Sequence, residues 1–503
     1  MPRILRSPTF WLTVAALVLA FGFLGTRSIW DPDEGRYTNV ALNMLDSGDW
    51  LNPRRNEEVG HWTKPPLTYW AIASSVAVFG ANPWAARLPM ALSYLLCIWL
   101  TWLIARRLSP GSEQTAAVIY ATMLLPAGAS QMITTDYLLA AAVTLAMWAF
   151  VEARFGPGRH PGRWIALMWA GMALAFVTKG PAGLLPLLVV LAFDFLMPDR
   201  HTRRVLQWSG LALFTVLALP WYVAVTRGNP GLFRYFVGDE VIGRITTNEF
   251  GRHGEWYGWL EIYVPTLLIG TLPWTPTLWR WARGLPAMVK PWWGSPQSRG
   301  QDAAWLLLVL WLVLPLLLFC LARSRMPLYL LPLFAPIAVI GALQRQREGR
   351  GLPGWRTLLA WVVLLLALKA AAAWWPTHKN AADWAEAIRA RSPGPVEEVV
   401  FVEDMARYGL HLHLGTGTQI EKISLEPRPP APFNPEFDEP LAVELGEHEP
   451  GVVWICKQDF WPLLHARIDA SGYRATQLGA PYQKRVMFRV DHIDQPGVDR
   501  PVR

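Results

Sequence analysis

The sequence predicts a polytopic α-helical membrane protein with about eleven transmembrane helices, followed by a small soluble α/β domain. Three observations carry that expectation. The chain is 52% hydrophobic and only 17% charged, with a mean hydropathy of +0.22, beyond ordinary globular usage. Apolar runs of near-membrane length alternate with short loops that hold most of the arginine. From Pro376 onward the texture changes to short strand-like and helix-like segments. The 29 tryptophans suit the lipid–water boundary, where an apolar ring body and a polar N–H are both satisfied.

Taken in order, the basic start MPRILRSP and the apolar run from Thr9 to about Gly25 resemble a signal peptide. No small-x-small cleavage site follows, so the run reads as an uncleaved first span with its N-terminus in the cytoplasm. Further runs lie at about 85–105, 114–132, 137–154, 164–178, 182–197, 205–226, 259–280, 303–322, 327–343 and 356–375. Every second loop is then rich in arginine: Arg106/Arg107, Arg154/Arg159/Arg163, Arg200/Arg203/Arg204, Arg280/Arg283/Lys290/Arg299 and Arg345/Arg347/Arg350/Arg356. That is the positive-inside pattern, and it accounts for the net charge of +8 without nucleic acid as a partner. The run Leu67–Phe79 is too short to span and reads as re-entrant or interfacial. The division expected is a membrane domain over 1–375, with 27–84 as a first outer loop bearing interfacial helices, and an outer α/β domain over 376–503. In that tail, 381–391 and 459–467 read as helices, and 398–402, 452–456 and 483–490 as strands. The Pro-rich stretch 426–440 reads as a loop. Three cysteines, all in apolar surroundings, are too few for a disulfide framework and read as packing residues.

The chemistry concentrates in the polar stretch from Thr26 to Trp70. DPDEGRY opens an amphipathic helix, with Asp31 as N-cap, Pro32 at the first position and Glu34 completing a capping box. Val40, Ala41, Met44 and Leu45 form an apolar stripe that would lie on the membrane surface. Helix capping explains Asp31 and Glu34; it explains Asp33, beside Arg36 and Tyr37, less well. Lys64 precedes two prolines that hold the backbone extended, which makes it either a phosphate ligand or a lysine snorkelling to the interface. On the same side fall Asp136, which is a helix cap or a site residue, and Lys179. With them are the loop 227–258 containing Glu240, Arg244 and His253, and the short LARSRMPLY with Arg323, Arg325 and Tyr329. An arginine in so short an outer loop calls for an anionic partner.

These stretches resemble the ArnT family, the aminoarabinose transferases that modify lipid A, within the GT-C superfamily that includes protein O-mannosyltransferases. The matching motifs are W-x-P-D-E-x-R-Y at Trp30–Tyr37, S-G-D-W at Ser47–Trp50, K-P at Lys64–Pro65 and V-T-K-G at Val177–Gly180. L-P-W follows at Leu219–Trp221 and again at Leu272–Trp274, then the basic pair and tyrosine of Arg323–Tyr329. The resemblance implies a GT-C fold and a polyprenyl-phosphate sugar donor such as an undecaprenyl phosphate. It also implies a lipid A-like lipid, glycan or protein hydroxyl as acceptor, and a site on the outer face of a bacterial inner membrane. It further implies catalytic roles for Asp33, Glu34, Lys64 and Asp136, and donor-phosphate contacts from Lys64, Arg244, Arg325 and Tyr329. Arg36, Tyr37, Lys179, Arg323, Glu240 and His253 are further lining candidates. The family's divalent metal is associated with a glutamate and a histidine that here read Thr63 and Val241, so the metal site is either absent or rebuilt, with His61, Glu57 or His253 as candidates. The rival function class is a transporter or flippase of lipid-linked sugars. Charges clustered in loops rather than at mid-span, and the lack of repeated halves, favour the transferase.

Overall fold

The computed structural model describes residues 8–157, 160–199, 202–243, 253–429, 431–447 and 451–493. The chain packs as two compact units: Met1–Leu24 with Lys64–Thr68 and Arg87–Ala373, and Gly25–Thr63 with Tyr69–Ala86 and Trp374–Arg503.

The first unit is helical. Among the described residues seven stretches are long and apolar enough to cross a membrane: Pro83–Leu108, Asp136–Phe155, Pro161–Leu196, Trp208–Gly228, Ala303–Leu321, Pro327–Arg347 and Trp355–Ala373. Thr9–Phe21 and Gly258–Gly270 are apolar but shorter, as is Leu67–Phe79, most of which belongs to the second unit. The stretch Pro161–Leu196 is itself divided at Gly180, whose φ of +61° suits glycine alone among common residues. Beyond it the backbone of Gly183 lies so close to that of Ala175 and Phe176 that a Cβ could not fit, so the chain folds back on the helix it has just left.

Two runs expected as single helices are broken. Residues 114–132 form Glu113–Thr122 and Leu124–Ala129, separated by an extended Met123. Residues 259–280 fall into Gly258–Gly270 and the start of Thr275–Gly294, with Pro273 between them. Proline supplies the reason in each case: Pro126 and Pro273 have no N–H to continue a helix and clash with the preceding turn. The two breaks meet, because the Leu124 N–H donates to the Leu272 carbonyl at 3.1 Å. Backbone groups freed at membrane depth thereby satisfy one another.

The second unit is built on a five-stranded sheet of order β2-β1-β3-β5-β4: β1 Glu398–Val402, β2 Gln419–Ile423, β3 Val452–Lys457, β4 Tyr473–Gln477 and β5 Arg485–His492. β1 pairs parallel with β2 and β3, while β5 runs antiparallel to β3 and β4. All five β1 residues are buried, as a strand covered on both faces requires. One face packs under helix Ala381–Arg389 through Trp384 and Ile388 on Val399, Phe401 and Ile455. The other packs under helices Leu441–Glu447 and Trp461–Ala470 through Leu441, Leu445, Leu464 and Ile468 on Val400, Val402 and Trp454. Burial, reinforced by neighbouring carboxylates, pushes the Glu421 carboxyl up to about 9 and that of Glu444 up to about 10.

Candidate active site

Within the second unit, helix Asp33–Ser47 begins differently from the expected capping box. Pro32 occupies the cap position and no side chain caps the first turn. The Asp31 carboxylate is turned away and accepts the Gly409 N–H at 2.9 Å. A Cβ on Gly35 or on Gly409 would collide with Asp31, so both glycines are needed for this contact. Asp31 is 1% exposed, and burial raises its carboxyl to about 7 against the pull of the Gly409 N–H and Arg407. Glu34 is committed elsewhere: it holds Arg27 with two bonds of 2.7 and 2.8 Å and accepts the Trp30 N–H at 3.0 Å. Asp33 stands outward, with its side chain 55% exposed and 3.6 Å from Arg36. It is the acid of this turn that a ligand can reach from solvent. Tyr37 stacks on Tyr69 at 5.8 Å between ring centres. The apolar stripe of the helix does not face lipid: Val40 and Met44 are buried against Tyr69 by the protein itself.

In the helical unit the remaining candidates form two groups. Helices Asp136–Phe155 and Pro161–Lys179 pack closely because Gly171 presents no Cβ to the backbone of Ala146. That contact aligns the start of one with the end of the other, and Lys179 Nζ bonds the Asp136 carboxylate at 2.5 Å. The same ammonium lies 4.1 Å from the centre of the Tyr329 ring. The second group joins Lys64, at the bend before helix Leu67–Phe79, to Glu240 at 3.5 Å. Glu240 sits in a π-helical turn, Phe236–Gly243, and accepts the Tyr235 hydroxyl at 3.1 Å. Tyr235 was not among the sequence candidates; its spacing five residues before Glu240 becomes meaningful only once the π turn is known.

Arg325 is 3% exposed, and its two Nη atoms donate to the carbonyls of His253, Glu255 and Cys320 at 2.5, 2.7 and 2.9 Å. Its buried Nε has no hydrogen-bond partner among the described residues. Tyr263, also absent from the sequence candidates, lies within electrostatic reach of both Arg325 and Tyr329. The His253 ring is half exposed and 3.9 Å from Glu261. Arg323 is exposed and joins neither group by an ion pair among the described residues. Arg244 lies outside the described residues.

The metal implied by the resemblance does not fit here. Val241 has no donor atom, and the Thr63 hydroxyl is 2.8 Å from His61 Nε2. Among the described residues no group of three metal-capable side chains includes His61, Glu57 or His253.

Residues 63–224 match a family model described as dolichyl-phosphate-mannose-protein mannosyltransferase. An undecaprenyl phosphate-alpha-4-amino-4-deoxy-L-arabinose arabinosyl transferase of Pseudomonas aeruginosa is 32% identical over 353 residues, 67% of this chain and 61% of that protein. A Pseudomonas fluorescens protein described in the same words is 32% identical over 360 residues, 69% of this chain and 62% of its own length. These alignments therefore span a little over three fifths of those relatives' length. In fold, the crystal structure of ArnT from Cupriavidus metallidurans bound to undecaprenyl phosphate superposes with a TM-score of 0.75 at 21% identity. It covers 95% of this chain and 97% of that one. By its motifs, its aligned relatives and its fold, the chain is an ArnT-like multi-pass membrane protein of the GT-C fold.

Proposed function

We propose that the chain is a glycosyltransferase that moves a sugar from a polyprenyl-phosphate donor to an acceptor at the outer face of the bacterial inner membrane. The observation that carries the reading is the Lys64–Glu240 contact. The ammonium is largely enclosed, at a turn stiffened by Pro65 and Pro66, yet its ion pair is loose at 3.5 Å. When the donor's phosphodiester breaks, its phosphate becomes a monoester of nearly two negative charges, more than one carboxylate offers, and would draw the ammonium from Glu240. The aligned relatives' undecaprenyl phosphate-linked substrate supports the same choice of donor.

In the proposed reaction an acceptor oxygen attacks the anomeric carbon, the bond from that carbon to the phosphate oxygen breaks, and configuration inverts. Negative charge gathers on the departing polyprenyl phosphate. Lys64, the Tyr329 hydroxyl, Arg325 through its unpartnered Nε, and Arg244 would stabilise it, the kind of preorganised electrostatics that dominates many barriers. Asp136 holds Lys179 beside Tyr329 and so sets the local charge. With a hydroxyl acceptor, of lipid A-like lipid, glycan or protein, Asp33 takes its proton; with a phosphate acceptor, Asp33 orients a cation instead. The arginine-rich loops put the N-terminus in the cytoplasm. The loops 27–84 and 227–258 then lie on the periplasmic side with residues 376–503, and residues 1–375 form the catalytic membrane domain.

The test is incubation of purified protein with a radiolabelled polyprenyl-phosphate sugar and a lipid A-type acceptor. Release of polyprenyl phosphate, lost in Lys64→Ala, is expected. Translocation of intact sugar-lipid without cleavage would identify a flippase and end this reading.

A further inference from the structure

One face of the sheet carries glutamates where its pattern calls for apolar side chains. Glu398, Val400 and Val402 alternate on that face of β1, and Gln419, Glu421 and Ile423 stand in register beside them on β2. Helix Leu441–Glu447 turns Leu441, Glu444 and Leu445 towards the same face. The two leucines enter the apolar core, and the residue between them delivers a carboxylate beside Glu398 and Glu421. One oxygen from each of the three lies within 4.8 Å of the other two. Oxygens about 2.4 Å from a common ion can be at most about 4.8 Å apart, a condition the three meet.

Two further observations point the same way. Glu398 and Glu444 are only 5% and 4% exposed, yet no described ion pair reaches Glu421 or Glu444. Among the described residues Arg55 pairs with Asp438 and Lys422 with Glu436. Among the described residues Glu444 Oε2 is closed off from solvent and accepts from no donor group, its side-chain neighbour being the Glu439 carboxyl. A buried carboxylate oxygen without a donor is costly, and a metal ion is one of the few partners that cancels both the charge and the missing bond. Glu421 is held in place by the Asn56 amide, which donates to its Oε1 at 3.0 Å. Glu444 also lines a cavity of about 440 Å³ with Glu397, Trp454 and Arg489, which supplies an entry route.

We propose that Glu398, Glu421 and Glu444 form a site for a hard divalent cation, calcium by preference, that fastens helix Leu441–Glu447 to β1 and β2. The donors are carboxylate oxygens alone, with no histidine or cysteine, which favours calcium over zinc. Glu444 also belongs to a second acidic group, with Glu439 and Glu447.

The experiment uses the full-length protein in detergent, stripped with a chelator and titrated with calcium chloride or zinc chloride by calorimetry, with melting temperature followed in parallel. One calcium ion per chain and a raised melting temperature are expected. Glu444→Gln should weaken calcium binding by at least about tenfold. Should Glu444→Gln fail to fold, Glu398→Gln gives the same readout from the strand side. Absence of stoichiometric calcium binding, tighter binding of zinc at these residues, or undiminished calcium affinity in the substituted protein would each overturn the proposal.

Discussion

The two compact units treat buried acids in opposite ways. In the helical unit Asp136 and Glu240 each face a lysine, at 2.5 and 3.5 Å. Under the sheet, Glu421 and Glu444 face one another and other carboxylates, with no described ion pair. The second unit can form pairs, as Arg27–Glu34 and Arg55–Asp438 show, so Glu421 and Glu444 are exceptions within their own surroundings. A matched pair is cheap to keep and easy to exchange for a substrate anion. An unmatched set demands a proton or a cation. The first arrangement suits turnover and the second suits a permanent guest.

The largest expected effect comes from the exposed acid of the first loop. With a hydroxyl acceptor, Asp33→Asn should lower turnover by about 10²–10⁴-fold at an unchanged melting temperature. Retained turnover would remove Asp33 from the chemistry. Its neighbour should respond in the opposite sense: Glu34→Ala strands the buried Arg27 and should cost about 3–5 kcal/mol of stability, read by denaturant or thermal melting. A well-folded, inactive Glu34→Ala protein would instead make Glu34 catalytic. Lys64→Ala should reduce kcat by about 10²–10³-fold. Glu240→Gln sharpens the point, because release of Lys64 should leave donor affinity equal or improved; a loss as large as that of Lys64→Ala would contradict an exchangeable pair.

The smallest effect is on pH dependence. Unfolded, an aspartate titrates at about 3.9, whereas Asp31 in the fold sits near 7. The folded state therefore keeps a proton that the unfolded chain has released. Stability falls as pH rises through this window and levels off above it. Melting at about pH 8 should be lower than at about pH 5.5, and Asp31→Asn should flatten that slope. Glu34, Arg36 and Arg407 also face this carboxyl, so the substitution rather than the raw profile is the measurement that decides.

Much of this organisation could be read from residue order. EVVFV and VVWIC announce β1 and β3 because central strands are apolar on both faces. QIEKI and YRATQ do not announce β2 and β4, because both lie at the sheet's edges and alternate with polar residues. Hydropathy reports the runs at 114–132 and 259–280 but not their interruptions, since Pro126 and Pro273 are apolar and leave an average undisturbed. Within the site, motif spacing picks out Lys64, Asp136 and Lys179, but partners are a tertiary matter. Nothing local says that Lys64 meets Glu240, 176 positions away, or that Arg325 donates to backbone carbonyls. The glutamate triad escapes pattern reading for a related reason: a glutamate at an inward position of a strand or helix looks like an outward one until the register is known.

The bond from Gly409 to Asp31 has a practical corollary for anyone reshaping this molecule. With Arg55 on Asp438 and Asn56 on Glu421, it makes the early segment Gly25–Thr63 and the tail from Trp374 a single folding body, despite more than three hundred intervening positions. A chimaera that borrows the tail from a relative, or a truncation that discards it, also alters the footing of the turn that presents Asp33. Grafts should therefore move both pieces together.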